Sequence, residues 1–287
     1  MAEFRIGTCS WKYESWRGLI YPQSSKINFL EEYSGHYSTV EIDQWFWSLF
    51  GENKVNLPNP KIIEEYINSV PEDFKFSIKL PNSLTLTHFY KSNKAEPLKS
   101  NPYFLSKELY KQIKHIFKPF GEKLGPLMMQ FEYLNKQKMN SQLDFQIRFK
   151  GFLDSIDTNK NIGVEIRNPN YLNNLFFEFL QKNNIIPVLL QGYYMPPVYE
   201  TYNKFRNLFT EKVIIRLHGP DRKGIEETTG GDWSKIVEPK DDELNKIIDM
   251  VIDLLSRDVD VYMNVNNHYE GSAPLTIRKI QDKIKHK

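Results

Sequence analysis

Cysteine is almost absent from the sequence, which has a single thiol, Cys9, among 287 residues. One cysteine excludes an internal disulfide and any zinc site built from several thiolates. Long apolar runs are absent too, since no segment approaches the roughly 18 consecutive apolar residues of a membrane-spanning helix. The first residues, MAEFRIGTCSW, carry no cleavage pattern of a signal peptide. We therefore expect a cytoplasmic protein without a membrane partner.

A strong charge of one sign is also lacking. Lysine and arginine number 38 against 36 aspartates and glutamates, which leaves a net charge of +2. Such a balance creates no overall field toward nucleic acid or an acidic membrane, so any basic surface has to be local. Hydrophobic residues make up 40% and charged residues 26% of the chain, the proportions of an ordinary globular protein.

Short β-branched segments alternate with longer amphipathic segments along the whole chain, which is the pattern of βα units. Eight strands are predicted, at 4–9, 39–43, 74–80, 127–131, 162–166, 185–190, 213–217 and 259–265. Helices are predicted at 28–34, 60–69, 102–120, 141–155, 171–183, 199–208, 241–256 and 274–285. Because parallel strands need helical crossovers, this order predicts an α/β fold.

The specific prediction is one (β/α)8 TIM-like barrel, a single domain over residues 1–287. An open doubly wound sheet is the alternative, but it would carry a glycine-rich first turn, which Gly7-Thr8-Cys9-Ser10 does not supply. The longest irregular stretches, 10–26, 81–101 and 219–239, each follow a strand. In a barrel such loops lie on the catalytic face.

Polar residues recur two positions apart where the predicted strands end. Such a pair points to one side of its strand, whereas a strand buried on both faces is otherwise apolar. In a closed barrel these ends meet at one mouth, where buried charges need partners, so we expect a network of ion pairs and amide bonds. The pairs are Glu41 and Asp43, Gln130 and Glu132, Glu165 and Arg167, Arg216 and His218, and Asn264 and Asn266, with Lys79 at the end of the third strand.

Two arginines and a lysine at this mouth indicate an anionic ligand. Guanidinium groups present a planar fork of donors that matches a carboxylate or a phosphate, so we predict that Arg167, Arg216 and Lys79 bind one. Gln130, Asp43 and Asn264 are predicted to complete the binding site. A purely structural network of the same residues is the alternative hypothesis.

Catalytic roles are predicted for three residues of the same mouth. Glu165 is the predicted general acid or base, because a carboxylate in a half-buried site titrates nearer neutrality, although an adjacent arginine opposes this. Glu41 is the second carboxylate, and His218 is expected to assist proton transfer, with a scaffold role as the alternative. Cys9 has no base near it in the sequence and is given little weight as a nucleophile.

Further candidates follow the first and last strands. Asn266 and Asn267 precede a small-residue turn and a helix start, whose free N–H groups suit an anion, although an asparagine-rich turn explains them as well. Aromatic residues also cluster after the first two strands, and such a cluster suits stacking on a base or a sugar ring, with cover of the barrel rim as the alternative. Its members are Trp11, Tyr13, Trp16, Trp45 and Trp47.

No metal ligand is assigned, and the sequence requires no cofactor. The chain has six histidines but no HxH or HExxH motif. A divalent metal stays open, because Glu41, Asp43 and Glu165 offer the oxygen ligands of a magnesium-type site.

At these residues the sequence resembles the YecE-like family, domain of unknown function seventy-two. The resemblance implies a TIM-like barrel and no established reaction, and it carries over its polar motif positions, His88 among them, without chemical roles. The chain departs from the family at Glu132-Tyr133, where relatives have a proline pair, and at Gln191, where relatives often have an acidic group. The matching segments are 7–11, 16–18 with 21–22, 40–43 with Phe46, 71–79, 87–88, 124–131, 164–167, 215–219 and 264–274.

Three functions stay open. The leading hypothesis is an enzyme using acid–base chemistry on a small anionic substrate, a phosphate- or carboxylate-bearing and sugar-like compound, with the reaction type unresolved between hydrolase, lyase and isomerase. The second is a nucleic-acid-binding or processing protein, favoured by a local basic bias around the third helix and opposed by the near-neutral net charge. The third is a metabolite-binding protein without catalysis. The basic bias rests on Lys91, Lys94, Lys99, Lys107 and Lys111.

Overall fold

The computed structural model describes residues 2–51, 54–91, 93, 95–156 and 161–285 of the chain. Eight parallel strands form one sheet that curls into a nearly closed barrel with helices outside it, which confirms the predicted (β/α)8 fold. The strands are β1 (Phe4–Thr8), β2 (Thr39–Ile42), β3 (Lys75–Lys79), β4 (Leu124–Gln130), β5 (Ile162–Glu165), β6 (Ile186–Gly192), β7 (Lys212–Gly219) and β8 (Asp260–Val265). The α-helices are α1 (Phe29–Ser34), α2 (Pro60–Asn68), α3 (Lys107–Phe117), α4 (Gln142–Ser155), α5 (Asn174–Lys182), α6 (Val198–Phe205), α7 (Arg222–Thr229), α8 (Asp241–Ser256) and α9 (Ala273–Lys285).

The barrel closes at a seam between β1 and β2. Strand β1 pairs with β8 along its whole length, whereas it meets β2 through a bridge from Cys9 to Glu41. The backbone N–H of Ser10 donates to the carbonyl of Glu41 at 3.1 Å. Gly7 permits this approach, because a Cβ at its position would lie 2.0 Å from the carbonyl oxygen of Thr39. The seam therefore depends on a residue without a side chain.

Inward-facing residues change character along the strands. At the end where the strands begin, an apolar cluster fills the interior. Further along β7, the inward position after Ile214 is Arg216, and on β8 the position after Tyr262 is Asn264. The interior is thus apolar below and polar above, which places the charged residues at the carboxyl ends of the strands. The apolar cluster consists of Met128, Ile186, Val188, Ile214 and Tyr262.

Side-chain caps set the first residues of two helices later than the sequence pattern predicts. The third predicted helix, 102–120, begins at Lys107, because the Ser106 side chain accepts a hydrogen bond from the N–H of Leu109. The fifth, 171–183, begins at Asn174, where Asn173 accepts from the N–H of Phe176. Such capping satisfies N–H groups that have no partner within the helix. Every helix in the described ranges is too short or too polar to cross a membrane.

Helix α7 corrects the prediction that 219–239 is irregular throughout. Asp221 caps it by accepting a hydrogen bond from the N–H of Gly224 at 3.0 Å. Gly230 ends it in the left-handed conformation, with a φ of 60°. The helix escapes the sequence pattern because it is short and polar, with Ile225 as its buried residue. It lies in the loop after β7, next to the mouth of the barrel.

Replacing Gly7 with alanine should destabilise the barrel, because the new methyl group would overlap the Thr39 carbonyl at the seam. We expect the free energy of unfolding to fall by about 2 kcal/mol or more, as overpacking of a tight interior does. Gly151→Ala is the matched control, since Gly151 lies within α4 with nothing within 4 Å of the added Cβ. That variant should gain about 0.5–1 kcal/mol from reduced chain entropy. Urea unfolding measures both, and equal midpoints would contradict the steric role of Gly7.

Candidate active site

A buried arginine joins two carboxylates across the barrel interior. Arg216 on β7 donates to both carboxylate oxygens of Glu41 on β2, at 2.8 and 2.6 Å, and to Glu165 on β5 at 2.5 Å. The three side chains are 2%, 0% and 1% exposed. Because Nε, Nη1 and Nη2 of Arg216 all have partners, the buried charges are compensated within the protein.

Arg167 and Gln130 extend this network toward the mouth. Arg167 donates to Glu165 from Nε at 2.6 Å and to Gln130 from Nη2 at 3.1 Å. The Gln130 oxygen also accepts from Arg216 at 3.4 Å. On its other side the Arg167 guanidinium lies 4.7 Å from the ring centre of Tyr193, a cation–π contact. Gln130 thus connects the two arginines, and Arg167 is held between a carboxylate and a ring.

A cavity of about 480 Å³ opens above this network at the carboxyl ends of the strands. Its inner wall is polar and its outer wall is aromatic, and the loops after most of the strands contribute to it. The cavity is lined by Tyr13, Asp43, Phe46, Trp47, Lys79, Leu86, Tyr90, Gln130, Glu132, Tyr133, Arg167, Tyr193, Tyr194, Arg216, His218, Arg222, Asn266 and His268.

Lys79 places an ammonium group in the cavity wall. Burial and the neighbouring Arg216 lower the pKa of Lys79 to about 8. Its Nζ lies 3.6 Å from the ring centre of Phe46, and within the described part of the chain no carboxylate forms an ion pair with it. A half-buried charge without an ionic partner is costly, so this site favours an anion from outside the protein.

Asp43 places a carboxyl group in the same wall. Burial and the negative charge of Glu41 raise the pKa of Asp43 to about 6, and the positive charges of Lys79 and Arg216 only partly oppose the shift. A carboxyl group with this pKa exchanges its proton near neutral pH. Asp43 and Lys79 thus place in one cavity wall two groups whose pKa values both move toward neutrality, an arrangement that favours acid–base chemistry.

The surroundings of Glu165 favour a supporting role over the proton transfer that the sequence analysis assigns to it. Burial alone would raise the pKa of Glu165, but Arg167, Arg216 and Lys79 outweigh that effect and lower it to about 2. The side chain is absent from the cavity wall and lies below Arg216. The Glu41 side chain is also fully buried and absent from the cavity wall. Both carboxylates thus hold Arg216 in place, which favours Asp43 as the candidate acid or base.

His218 lines the cavity and is kept neutral by its surroundings. Burial and the positive charge of Arg216 lower the pKa of His218 well below its usual value. Its Nε2 lies 3.7 Å from Sγ of Cys9, which in turn lies 3.7 Å from Glu41. Burial and Glu41 raise the pKa of the Cys9 thiol well above its usual range. A neutral imidazole beside a protonated thiol favours hydrogen bonding over nucleophilic attack.

The three asparagines predicted at the mouth lie in different environments. Asn266 lines the cavity, and its side-chain oxygen accepts from the N–H of His268 at 3.0 Å. Asn264 is buried beside Arg216, and neither atom of its amide has a partner among the described residues. Asn267 is turned away from the cavity, because its side-chain oxygen accepts from the N–H of Ala273 at the start of α9.

Trp11 and His88, like Asn264 and Asn267, are absent from the cavity wall. Trp11 is buried, with its ring 4.9 Å from that of Tyr66. His88 lies 2.9 Å from the hydroxyl of Thr87 in a neighbouring surface depression. Trp11 thus packs in the loop layer rather than facing the mouth.

The two departures from the family pattern have different consequences. Glu132 and Tyr133 both line the cavity, where Glu132 pairs with Lys138 and accepts from the Thr87 hydroxyl at 3.0 Å. Gln191 points outward, since it donates to Glu243 on α8 at 2.8 Å and accepts from the N–H of Val198. The first departure therefore changes the site, and the second changes the contact between barrel and helices.

Sequence reasoning missed the tyrosines that follow β6. Tyr193 has a φ of 54°, an uncommon conformation for a residue with a side chain, and its ring lies 6.1 Å from that of His218. Gly192 before it has a φ of 138° and packs against Gly219, where a Cβ would lie 2.3 Å from the carbonyl oxygen. The signal available in the sequence was Gly192 at a strand end followed by two tyrosines. Strained residues of this kind concentrate at functional sites.

Two hypotheses left open by the sequence concern a divalent metal and nucleic acid. No group of three or more histidine, cysteine, aspartate or glutamate side chains in that part of the chain is placed to hold a metal ion. Of the three carboxylates considered for magnesium, Glu41 and Glu165 bind Arg216 instead. Of the lysines considered for nucleic acid, Lys91, Lys99 and Lys111 are exposed and Lys107 is half-buried, while Lys94 lies outside the described residues.

A family model described as "Protein of unknown function DUF72" matches residues 5–287. Among solved structures, a DUF72 family protein from Thermotoga maritima is 20% identical, with 99% of each chain covered and a TM-score of 0.67. Another from Enterococcus faecalis is 19% identical, covers 98% of this chain and 95% of that chain, and has a TM-score of 0.66. A trimodular GH5_4 subfamily endoglucanase is 15% identical over 93% of this chain and 56% of its own, with a TM-score of 0.53, and shares the fold alone. No curated protein matches the chain.

Replacing Asp43 with asparagine should stabilise the protein at neutral pH and have little effect in acid. The pKa of Asp43 rises from 3.8 to about 6 on folding, so the folded state binds the proton more tightly than the unfolded chain. The stability contributed by this proton is full below 3.8, declines as the pH rises through 6, and is then lost. Asparagine cannot ionise, and we expect a gain of about 2 kcal/mol near pH 7.5.

Urea unfolding at a series of pH values measures this difference between Asp43→Asn and the wild type. Asp73→Asn is the control, since Asp73 is exposed at the opposite end of the barrel. A gain for Asp43→Asn that is as large in acid as at neutral pH would contradict the raised pKa.

Proposed function

We propose that this chain, which belongs to the DUF72 family and thus to the YecE-like family it resembles in sequence, is an enzyme. It acts by acid–base chemistry on a small anionic substrate that bears a phosphate or a carboxylate. The observation that carries the proposal is the pairing, in one cavity wall, of Asp43 with a pKa of about 6 and Lys79 with a pKa of about 8. Groups tuned in this way concentrate where protons are transferred.

Binding of the anion falls to Lys79 and Arg167. Lys79 has a desolvated ammonium group, and Arg167 is oriented by Glu165 and Gln130 while its guanidinium still reaches the cavity wall. Arg216, which the sequence analysis also assigned to the anion, is occupied by Glu41 and Glu165 and serves as the support of the site. The anion would supply the partner that the ammonium group of Lys79 lacks in the described residues.

Proton transfer falls to Asp43. At neutral pH most of its population is ionised and ready to accept a proton from a bound substrate, and the protonated form can return it. His218, neutral and in the same wall, orients the substrate by a hydrogen bond. The choice between hydrolysis, elimination and isomerisation depends on the group that the substrate presents to Asp43.

Replacing Lys79 with glutamine should weaken the binding of inorganic phosphate. We expect the affinity to fall by about tenfold to a hundredfold, as the loss of a hydrogen bond to a charged group does. Isothermal titration near pH 6.5 measures it, and wild-type affinity should decline as the pH rises through 8, where Lys79 loses its proton. Lys75→Gln, at the other end of β3, is the control and should bind phosphate as the wild type does. Equal phosphate affinity in Lys79→Gln and the wild type would overturn the anion site.

Replacing Asp43 with asparagine should reduce turnover by about a hundredfold or more, which is the contribution of a positioned acid or base. Because Asp43 does not bind the anion, phosphate affinity should stay within a few-fold of the wild type. A panel of sugar phosphates and carboxylated sugars supplies the substrates, with Asp73→Asn as the exposed control. Full turnover in Asp43→Asn would remove its role, and binding without turnover by the wild type would overturn the catalytic assignment.

A further inference from the structure

Exposed aromatic side chains concentrate at the mouth of the barrel. Among the described residues, the tryptophans, tyrosines and phenylalanines with largely exposed side chains are Trp47, Phe50, Tyr90, Tyr133 and Tyr194. All but Phe50 line the cavity. Water contact with large apolar rings is unfavourable, so their grouping around one opening indicates a surface that a ligand covers.

The four rings form two pairs that come from different loops. Trp47, after β2, lies 5.9 Å from Tyr90, after β3. Tyr133, after β4, lies 6.3 Å from Tyr194, after β6, in an edge-to-face arrangement. Since four separate loops converge, the grouping is a product of the barrel and not of a local aromatic run. We call these four residues the aromatic rim.

The aromatic rim is continuous with the charged wall below it. The ammonium group of Lys79 lies 3.6 Å from the ring centre of Phe46. The ring of Phe46 in turn lies 5.2 Å from the ring of Trp47. On the other side, Tyr194 follows Tyr193, whose ring contacts the guanidinium of Arg167. A molecule bound by Lys79 and Arg167 at its anionic end would therefore extend outward between aromatic side chains.

We propose that the aromatic rim is a second subsite, which binds a ring of the substrate while Lys79 and Arg167 bind its anionic group. The inference rests on the anion site of the proposed function and specifies the substrate as an anion that carries a flat or sugar ring. The cavity of about 480 Å³ has the size of pockets that enclose whole metabolites rather than single ions. Aromatic side chains contribute stacking to either kind of ring.

The test compares ligands that share the anionic group and differ in the ring. Inorganic phosphate, a hexose 6-phosphate and a nucleoside monophosphate are titrated into the full chain by calorimetry. At least one ring phosphate should bind about tenfold or more tightly than inorganic phosphate, and Trp47→Ala should remove about tenfold of that gain, as the loss of one stacked ring does. Phosphate affinity itself should not change in Trp47→Ala. The ring that binds more tightly distinguishes a sugar substrate from a nucleotide substrate.

Phe50→Ala is the matched control, because Phe50 is 60% exposed against 61% for Trp47 and lies outside the cavity. Equal affinity for inorganic phosphate and both ring phosphates would overturn the ring subsite and leave the anion site standing. Equal losses in Trp47→Ala and Phe50→Ala would overturn it as well. If inorganic phosphate does not bind but a ring compound binds through Trp47, the anion site fails and the ring subsite stands.

Discussion

The candidate site depends on one buried guanidinium held between two carboxylates. Arg216 joins β7 to β2 and β5, strands that lie on different sides of the barrel, and its partners leave none of the three charges unpaired. Removing one member of such a buried ion pair would leave its partner charged and away from solvent, which is strongly destabilising. The same charges add to the effect of burial on their neighbours: burial and Glu41 raise the pKa of Asp43, and burial and Arg216 lower the pKa values of Lys79 and His218. The network thus fixes the geometry of the mouth and also tunes the groups that face it.

The sequence predicted the fold well because a barrel repeats one local pattern. Alternating strands and helices identified all eight strands, and the family match agrees with the barrel. Residues two apart at the strand ends were expected to form an ion-pair network, and Glu165, Arg167 and Arg216 do so. The two-residue spacing along a strand predicts that a side chain points into the barrel, but it does not predict how deep below the mouth that side chain lies. For this reason the sequence predicts Glu165 at the mouth, whereas its side chain is buried beneath Arg216.

Long-range contacts account for what the sequence could not predict. The pKa of Asp43 depends on burial by loops that are distant in the chain, and the aromatic rim requires four of those loops at once. Trp11, after β1, and Trp47, after β2, lie in different environments, with Trp11 packed on Tyr66 and Trp47 exposed at the mouth. Gln191 ends a strand like the site residues but faces α8. In each case the strand register was predictable and the neighbour across the loop layer was not.

The pairing of β1 with β8 has a consequence for how the chain assembles during synthesis. The first strand finds its extended partner only in the last, because its contact with β2 is a bridge at the seam. At ~5–20 residues per second on the ribosome, β8 emerges on the order of tens of seconds after β1. Until then β1 lacks its main pairing partner. Glu41 likewise has no ionic partner until β7, which carries Arg216, has been synthesised. The nascent chain therefore exposes a strand edge for most of its translation, and the finished barrel covers it.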